Sequence, residues 1–122
     1  MKVKGFSWVG IATDDFAASL RFFTEVLGLE VEARGEDGAI LRVAPGQQLE
    51  IFGGPRSDDS IHATPTVAFE VDDLAAASQA LVAGGAELVG EVGAWNGSEW
   101  QYFRDPTGNL FEVKRSPNFD QA

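Results

Sequence analysis

The sequence predicts an α+β fold of two tandem βαβββ modules, and three observations carry it. Two sequence blocks recur in the same order, each half holds helix-spaced apolar residues between capping signals, and strand-length apolar runs are divided by glycine turns. The first recurrence sets Trp8-Val9-Gly10-Ile11-Ala12-Thr13-Asp14-Asp15 above Thr66-Val67-Ala68-Phe69-Glu70-Val71-Asp72-Asp73, an offset of 58 residues. The second sets Pro45-Gly46-Gln47-Gln48-Leu49-Glu50-Ile51 above Thr107-Gly108-Asn109-Leu110-Phe111-Glu112-Val113, an offset of 62. Two blocks at nearly one offset point to a duplicated module.

In chain order, the first block opens as a strand and passes through an Asp-Asp pair into a helix. There Phe16, Leu20, Phe23 and Leu27 fall at helical spacing, Asp14 or Asp15 caps the start and Gly28 suits a left-handed stop, so one face of this helix is expected to be buried. Strands follow over Leu29 to Ala33 and Ala39 to Val43, joined across Gly35-Glu36-Asp37-Gly38, and then the strand carrying Glu50. Residues 53–65, rich in Gly, Pro, Ser and Asp, read as a linker, with Arg56-Ser57-Asp58-Asp59-Ser60 a solvated loop. The second half repeats the grammar. A strand leads to a helix with Leu74, Ala77 and Leu81 on one face, started by Asp72-Asp73 and stopped by Gly84-Gly85. Strands over Glu87 to Val92 and Trp100 to Arg104 flank a turn at Trp95-Asn96-Gly97-Ser98. Asp105-Pro106-Thr107-Gly108-Asn109 is a turn into the strand carrying Glu112. The expected organisation is a single domain, 1–122, made of modules at about 4–53 and 64–115.

Nineteen acidic residues against nine basic ones give a net charge of −10, which argues against nucleic acid and anionic membrane surfaces as partners. The absence of cysteine removes disulfides, thiolate nucleophiles and zinc-thiolate sites. The opening residues lack the apolar run of a signal peptide and no stretch approaches a membrane span, so a cytoplasmic location is expected. No Walker loop, dinucleotide fingerprint or Gly-x-Ser-x-Gly elbow occurs.

Four motifs resemble the vicinal oxygen chelate superfamily of glyoxalases, bleomycin-resistance proteins and extradiol dioxygenases. They are Val9-Gly10-Ile11-Ala12-Thr13-Asp14-Asp15, Phe22-Phe23-Thr24-Glu25-Val26-Leu27-Gly28-Leu29, Val67-Ala68-Phe69-Glu70-Val71-Asp72-Asp73 and, the most specific, Phe103-Arg104-Asp105-Pro106-Thr107-Gly108-Asn109-Leu110-Phe111-Glu112. The resemblance implies that the curved mixed sheets of the two modules form an open barrel-like cleft, commonly completed in a homodimer. It also implies that metal-dependent members take ligands from the positions of Trp8, Glu50, Thr66 and Glu112. Here two carboxylates remain, but indole does not ligate a metal and a neutral Thr hydroxyl is a poor ligand, so no metal and no cofactor are expected. The single histidine, His62, belongs to the linker; a site joining it to Glu50 and Glu112 is the exception to that expectation.

With Trp8 and Glu50 turned into the cleft, strand alternation sends Gly10, Ala12, Gln48 and Phe52 the same way and turns Val9, Ile11, Leu49 and Ile51 to the helices. In the second half Thr66, Ala68, Glu70, Leu110, Glu112 and Lys114 face inward, while Val67, Phe69, Val71, Phe111 and Val113 face the helices. The polar inward set is expected to be either solvated or built around a ligand. Trp8 serves as a plug or as a stacking wall, and Trp95 and Trp100 either border the cleft or cover a partner or sheet edge. Glu50 and Glu112 are candidates for proton transfer, for binding a basic ligand, or for a relict metal site.

The reading is therefore a metal-independent binder of an aromatic or cationic compound in a dimeric cleft. Glu50 and Glu112 are its candidate catalytic residues, and Trp8, Gln48, Phe52, Thr66, Trp95, Trp100 and Lys114 its candidate ligand-binding residues. The alternative is a glyoxalase- or dioxygenase-like enzyme, metal-dependent or working by proton transfer through Glu50 and Glu112.

Overall fold

The computed structural model describes residues 1–54 and 65–119; His62 and the expected loop Arg56 to Ser60 lie outside them. The α+β class and the βαβββ order of each half are as expected. The elements are β1 (Val3–Ala12), α1 (Phe16–Arg21), β2 (Glu30–Arg34), β3 (Gly38–Ala44), β4 (Gln47–Phe52), β5 (Thr66–Val71), α2 (Leu74–Ala83), β6 (Glu87–Trp95), β7 (Ser98–Arg104) and β8 (Leu110–Arg115). The chain divides into two compact units, one of Trp8–Thr66 and one of Met1–Ser7 with Val67–Ala122, so β1 begins in one unit and ends in the other.

In the unit Trp8–Thr66 the strand order is β2-β3-β4-β1, with β1 parallel to β4 and the other pairs antiparallel. Asp15 caps α1 by accepting from the Ala18 N–H at 3.1 Å. The helix-facing core joins Leu20, Ala39, Leu41, Leu49 and Ile51, with Val9, Ile11, Phe16, Phe23 and Leu29 packed on it, which is the side the alternation assigned. The expected four-residue apolar stripe ends early. After Arg21 the backbone widens into a π-helical segment, Phe22–Val26, which shifts later residues around the axis. Leu27 is consequently 52% exposed, and Gly28 turns the chain at φ 74°.

In the other unit the order is β5-β8-β7-β6, with β5 parallel to β8. Asp73 caps α2 through the Ala76 N–H at 3.0 Å. Val71, Leu74, Ala77, Phe103 and Val113 form the core, joined by Phe69, Leu81, Ala86 and Phe111. The ring of Phe6, in the opening part of β1, meets Phe69 at 5.3 Å. The β6–β7 hairpin is longer than expected: β6 runs to Trp95, Ser98 already pairs with it, and the turn shrinks to Asn96 and Gly97 at φ 52° and 86°. An Asn-Gly pair with both φ positive is the two-residue turn that matches strand twist, so Trp95 stands on the strand.

Candidate functional site

Each unit carries a polar sheet face opposite its helix. In the unit Trp8–Thr66, β1 pairs with β4 so that Trp8 lies beside Gln48 and Gly10 beside Glu50. Trp8 is only 5% exposed, and its indole folds back along its own strand over Gly10. A Cβ at position 10 would stand 2.2 Å from the ring, so glycine is what lets the indole lie flat there. In that pose Nε1 donates to Glu50 Oε1 at 3.0 Å, and Phe52 meets the indole edge-on with centroids 6.2 Å apart. Gln48 donates through Nε2 to Glu32 at 2.9 Å. Trp8, Gln48, Glu50 and Phe52, all expected on one face, are thus brought together.

This geometry tests the metal that the resemblance attaches to these positions. An indole nitrogen spends its lone pair in the ring and offers only an N–H, and here that N–H donates to Glu50 Oε1. Trp8 and the Glu50 oxygen it bonds do not fit a divalent metal. Among the described residues no group of three or more His, Cys, Asp or Glu side chains stands close enough together to hold a metal ion.

In the other unit, register sets Glu112 between Ala68 and Tyr102, and Lys114 between Glu70 and Trp100. Glu70, Glu112 and Lys114 are 1%, 3% and 6% exposed. This polar set, expected to be either solvated or built around a ligand, is buried, as is Thr66 at the start of β5. Charges taken out of water at this depth require close partners. Glu70 has them in Ser116, whose backbone N–H donates to Oε2 at 2.6 Å and whose hydroxyl donates to Oε1 at 2.8 Å. Trp100 lies over Gly93, where a Cβ would approach the indole to 2.4 Å. Trp95, two residues further along β6, is 53% exposed.

The candidate residues fall in both units. Trp8, Gln48, Glu50, Phe52 and Thr66 belong to one, and Trp95, Trp100, Glu112 and Lys114 to the other. Sequence reasoning placed Glu70 on the inward face without naming it as part of a site; its parity with Lys114 across β5 and β8 is the signal that links them. The glycines under the two indoles were also missed. Trp8-Val9-Gly10 is readable, because residues two apart on a strand share a face, but Gly93 meets Trp100 only through hairpin register.

The expected Asp105 turn is present and strongly bonded. Asp105 accepts from the Asn109 side chain at 2.9 Å, the Asn109 backbone at 2.9 Å, and the Thr107 backbone and hydroxyl at 3.0 and 3.1 Å. The Asn109 side-chain bond is the largest cause holding its carboxyl down to about 2.

Comparison with known proteins matches residues 5–113 to the family model described as the Glyoxalase/Bleomycin resistance protein/Dioxygenase superfamily. The chain is 25% identical over 118 residues to the uncharacterised protein YetH of Bacillus subtilis, covering 92% of this chain and 98% of that one. Among solved structures it is similar to methylmalonyl-CoA epimerase from Mycobacterium tuberculosis, with a TM-score of 0.73 and 24% identity over 98% of this chain and 93% of that one. The Mn(II)-bound glyoxalase from Novosphingobium aromaticivorans gives a TM-score of 0.74 and 23% identity over 93% of this chain and 39% of that one. At these identities the solved structures speak for the fold.

Proposed function

Because the chain belongs to the Glyoxalase/Bleomycin resistance protein/Dioxygenase superfamily, we propose that it binds a small aromatic or cationic molecule without a metal ion, as a cytoplasmic homodimer whose two modules act as one domain. The observation that carries this reading is the Trp8–Glu50 hydrogen bond. It puts an indole, the Phe52 ring and a carboxylate in one cluster, the combination that holds a flat or positively charged group, and it gives one carboxylate oxygen an N–H donor. Gln48 and Thr66 would add polar contacts; Trp95, Trp100 and Lys114 are proposed ligand-binding residues on the polar face of their own unit. The net charge of −10 raises the local concentration of cations around the chain. The test is a titration with an aromatic monocation such as 1-methylquinolinium, followed by tryptophan fluorescence, with EDTA and then with Mn²⁺. Saturable quenching with the same midpoint in both supports the reading. Binding that requires Mn²⁺ overturns its metal independence.

A second reading is favoured by the burial of Glu112 beside Tyr102 on β7 and by the epimerase among the similar structures. In it Glu50 or Glu112 moves a proton at a carbon next to a substrate carbonyl. Its expected signature is exchange of substrate C–H for deuterium in D₂O, lost in Glu112→Gln while binding is kept. Equal exchange in the variant would remove Glu112 from the mechanism.

A further inference from the structure

We propose that Gln101 is a positioning residue for Trp100: its side-chain amide holds the bulge of β6 and so keeps Gly93 beneath the indole. The inference rests on the reading above in taking Trp100 as part of the binding face, and it adds the group that sets the ring in place.

Strand β6 meets β7 in two stretches. From the Asn96-Gly97 turn the pairs run Trp95 with Ser98, Ala94 with Glu99 and Gly93 with Trp100. The pairing then breaks and resumes with Val89 opposite Tyr102, so that Gly90, Glu91 and Val92 stand against Gln101 alone. A bulge of this size interrupts the ladder and leaves backbone carbonyls to find other donors. Gln101 supplies them. It is only 4% exposed, and its Nε2 donates to the Val89 and Gly90 carbonyls at 3.1 and 3.0 Å and to the Tyr102 carbonyl at 3.0 Å. Three carbonyl oxygens around one nitrogen admit only the NH₂ end of the amide, whose two N–H groups are shared among them. One side chain thus ties β7 to β6 at the point where β6 leaves the ladder. Gly90 turns there at φ 71°, which glycine adopts without steric cost.

Gly93 ends the stretch of pairs that begins at the turn, and it is where the indole lies: a Cβ on it would collide with Trp100 Cε2 and Nε1. Side chains at paired positions share a face, so a slip of one residue would bring the Cβ of Val92 or Ala94 into the space of the ring. The β8 side of Trp100 is held by its pairing with Lys114. The pose of the indole therefore depends on where β6 re-enters the ladder, and Gln101 is the side chain that fixes this. Gln101 pairs with Val113 and, one residue from Trp100 on the same strand, points to the opposite face. It acts through β6 and does not reach the ring.

The chain has three tryptophans, so labelling with 5-fluorotryptophan gives three ¹⁹F resonances, with that of Trp100 the one missing from Trp100→Phe. Gln101→Met keeps the length of the side chain and removes the donor. It is expected to move and broaden the Trp100 resonance, to leave the Trp8 resonance in place, and to reduce the ring-current shift of the Gly93 α-protons. Gly93→Ala should move the Trp100 resonance as well, and adding Gln101→Met to it should then change little, because both act on one contact. A side chain that only stabilised the hairpin would lower the urea midpoint and leave these signals in place, and that result in a folded Gln101→Met protein overturns the proposal.

If Gln101→Met does not fold, Gln101→Asn, whose amide is one methylene short of the bulge, takes its place with the same expectations. The unsubstituted chain adds a check of its own: Gln101 side-chain amide protons that exchange as fast as those of exposed Gln47, or Gly93 α-protons without a ring-current shift, overturn the proposal. Where the unsubstituted chain binds 1-methylquinolinium, Gln101→Met should weaken that binding at least ~3-fold, and equal affinity would overturn the part given to Gln101 in the binding face. No binding by the unsubstituted chain would contradict the proposed function instead, since the position of the ring is read without ligand.

Discussion

At the scale of single residues, the most informative position is Trp8, because it combines depth, a directed hydrogen bond and a demand on its neighbour. Truncating a buried indole costs about 3–5 kcal/mol through lost transfer energy and the space left behind. Trp8→Phe keeps most of the apolar area and loses the N–H to half-buried Glu50, so its cost should be nearer ~1 kcal/mol. Gly10→Ala puts a methyl into the indole and should cost about 1–3 kcal/mol as overpacking. Urea unfolding of Gly10→Ala in the Trp8→Ala background checks the geometry. The glycine substitution should become nearly neutral there, because the clash has been removed, and a cost unchanged by the second substitution would mean that the ring does not lie over Gly10. The alternation rule foresaw that Trp8 and Glu50 share a face. It did not foresee their bond, because strand parity sets a side chain's direction and leaves its rotamer to the space that Gly10 provides.

At the scale of elements, the strands and both helix starts were legible, since period-2 alternation and Asp N-caps are local signals. The π-helical segment after Arg21 was not, and it moves Leu27 out of the expected apolar stripe. Phe16, Leu20, Phe23 and Leu27 fit an α-helical stripe on paper, but a widened turn is decided by packing of the whole unit. The β6–β7 hairpin shows the same limit: Asn96-Gly97 was readable as a turn, yet its extension to Trp95 depends on pairing with Ser98.

The turn between β7 and β8 carries a pH prediction. Asp105 titrates at about 2 against an ordinary 3.8, chiefly because the Asn109 side chain donates to its ionised form. A lowered folded-state value means that the turn contributes stability above the unfolded value, near pH 3.8, and loses it as pH falls through about 2. Asp105→Asn should therefore lower the urea midpoint at pH 5 and leave a smaller further drop on going to pH 2 than the unsubstituted chain shows. An identical pH 5 to pH 2 difference in both proteins would refute the assignment. Asp105 is half-buried in a surface turn, so solvent screens the effect and keeps it modest.

At the scale of the whole molecule, the family was legible because its motifs run along the chain from the first strand to Glu112, and the family model covers residues 5–113. The ligand was not, because Trp8 and Thr66, at two of the positions where the resemblance implies metal ligands, do not by their residue type name a ligand. Charge adds a further prediction. Two copies at −10 each repel one another, so the proposed homodimer should tighten as salt screens that repulsion. Sedimentation velocity at about 20 mM and about 500 mM NaCl should show a larger dimer fraction at high salt. A monomer at both, at high protein concentration, would contradict the dimer.

Trp8 and Glu50 are proposed to form a ligand-binding pair that works without metal. Titration of the unsubstituted chain, Trp8→Ala and Glu50→Gln with 1-methylquinolinium in EDTA tests it most directly. Expected are saturable binding to the unsubstituted chain, at least ~10-fold weaker binding to Glu50→Gln, and no ligand-induced fluorescence change in Trp8→Ala. Equal affinity in all three proteins, or no saturable binding by the unsubstituted chain, would contradict it.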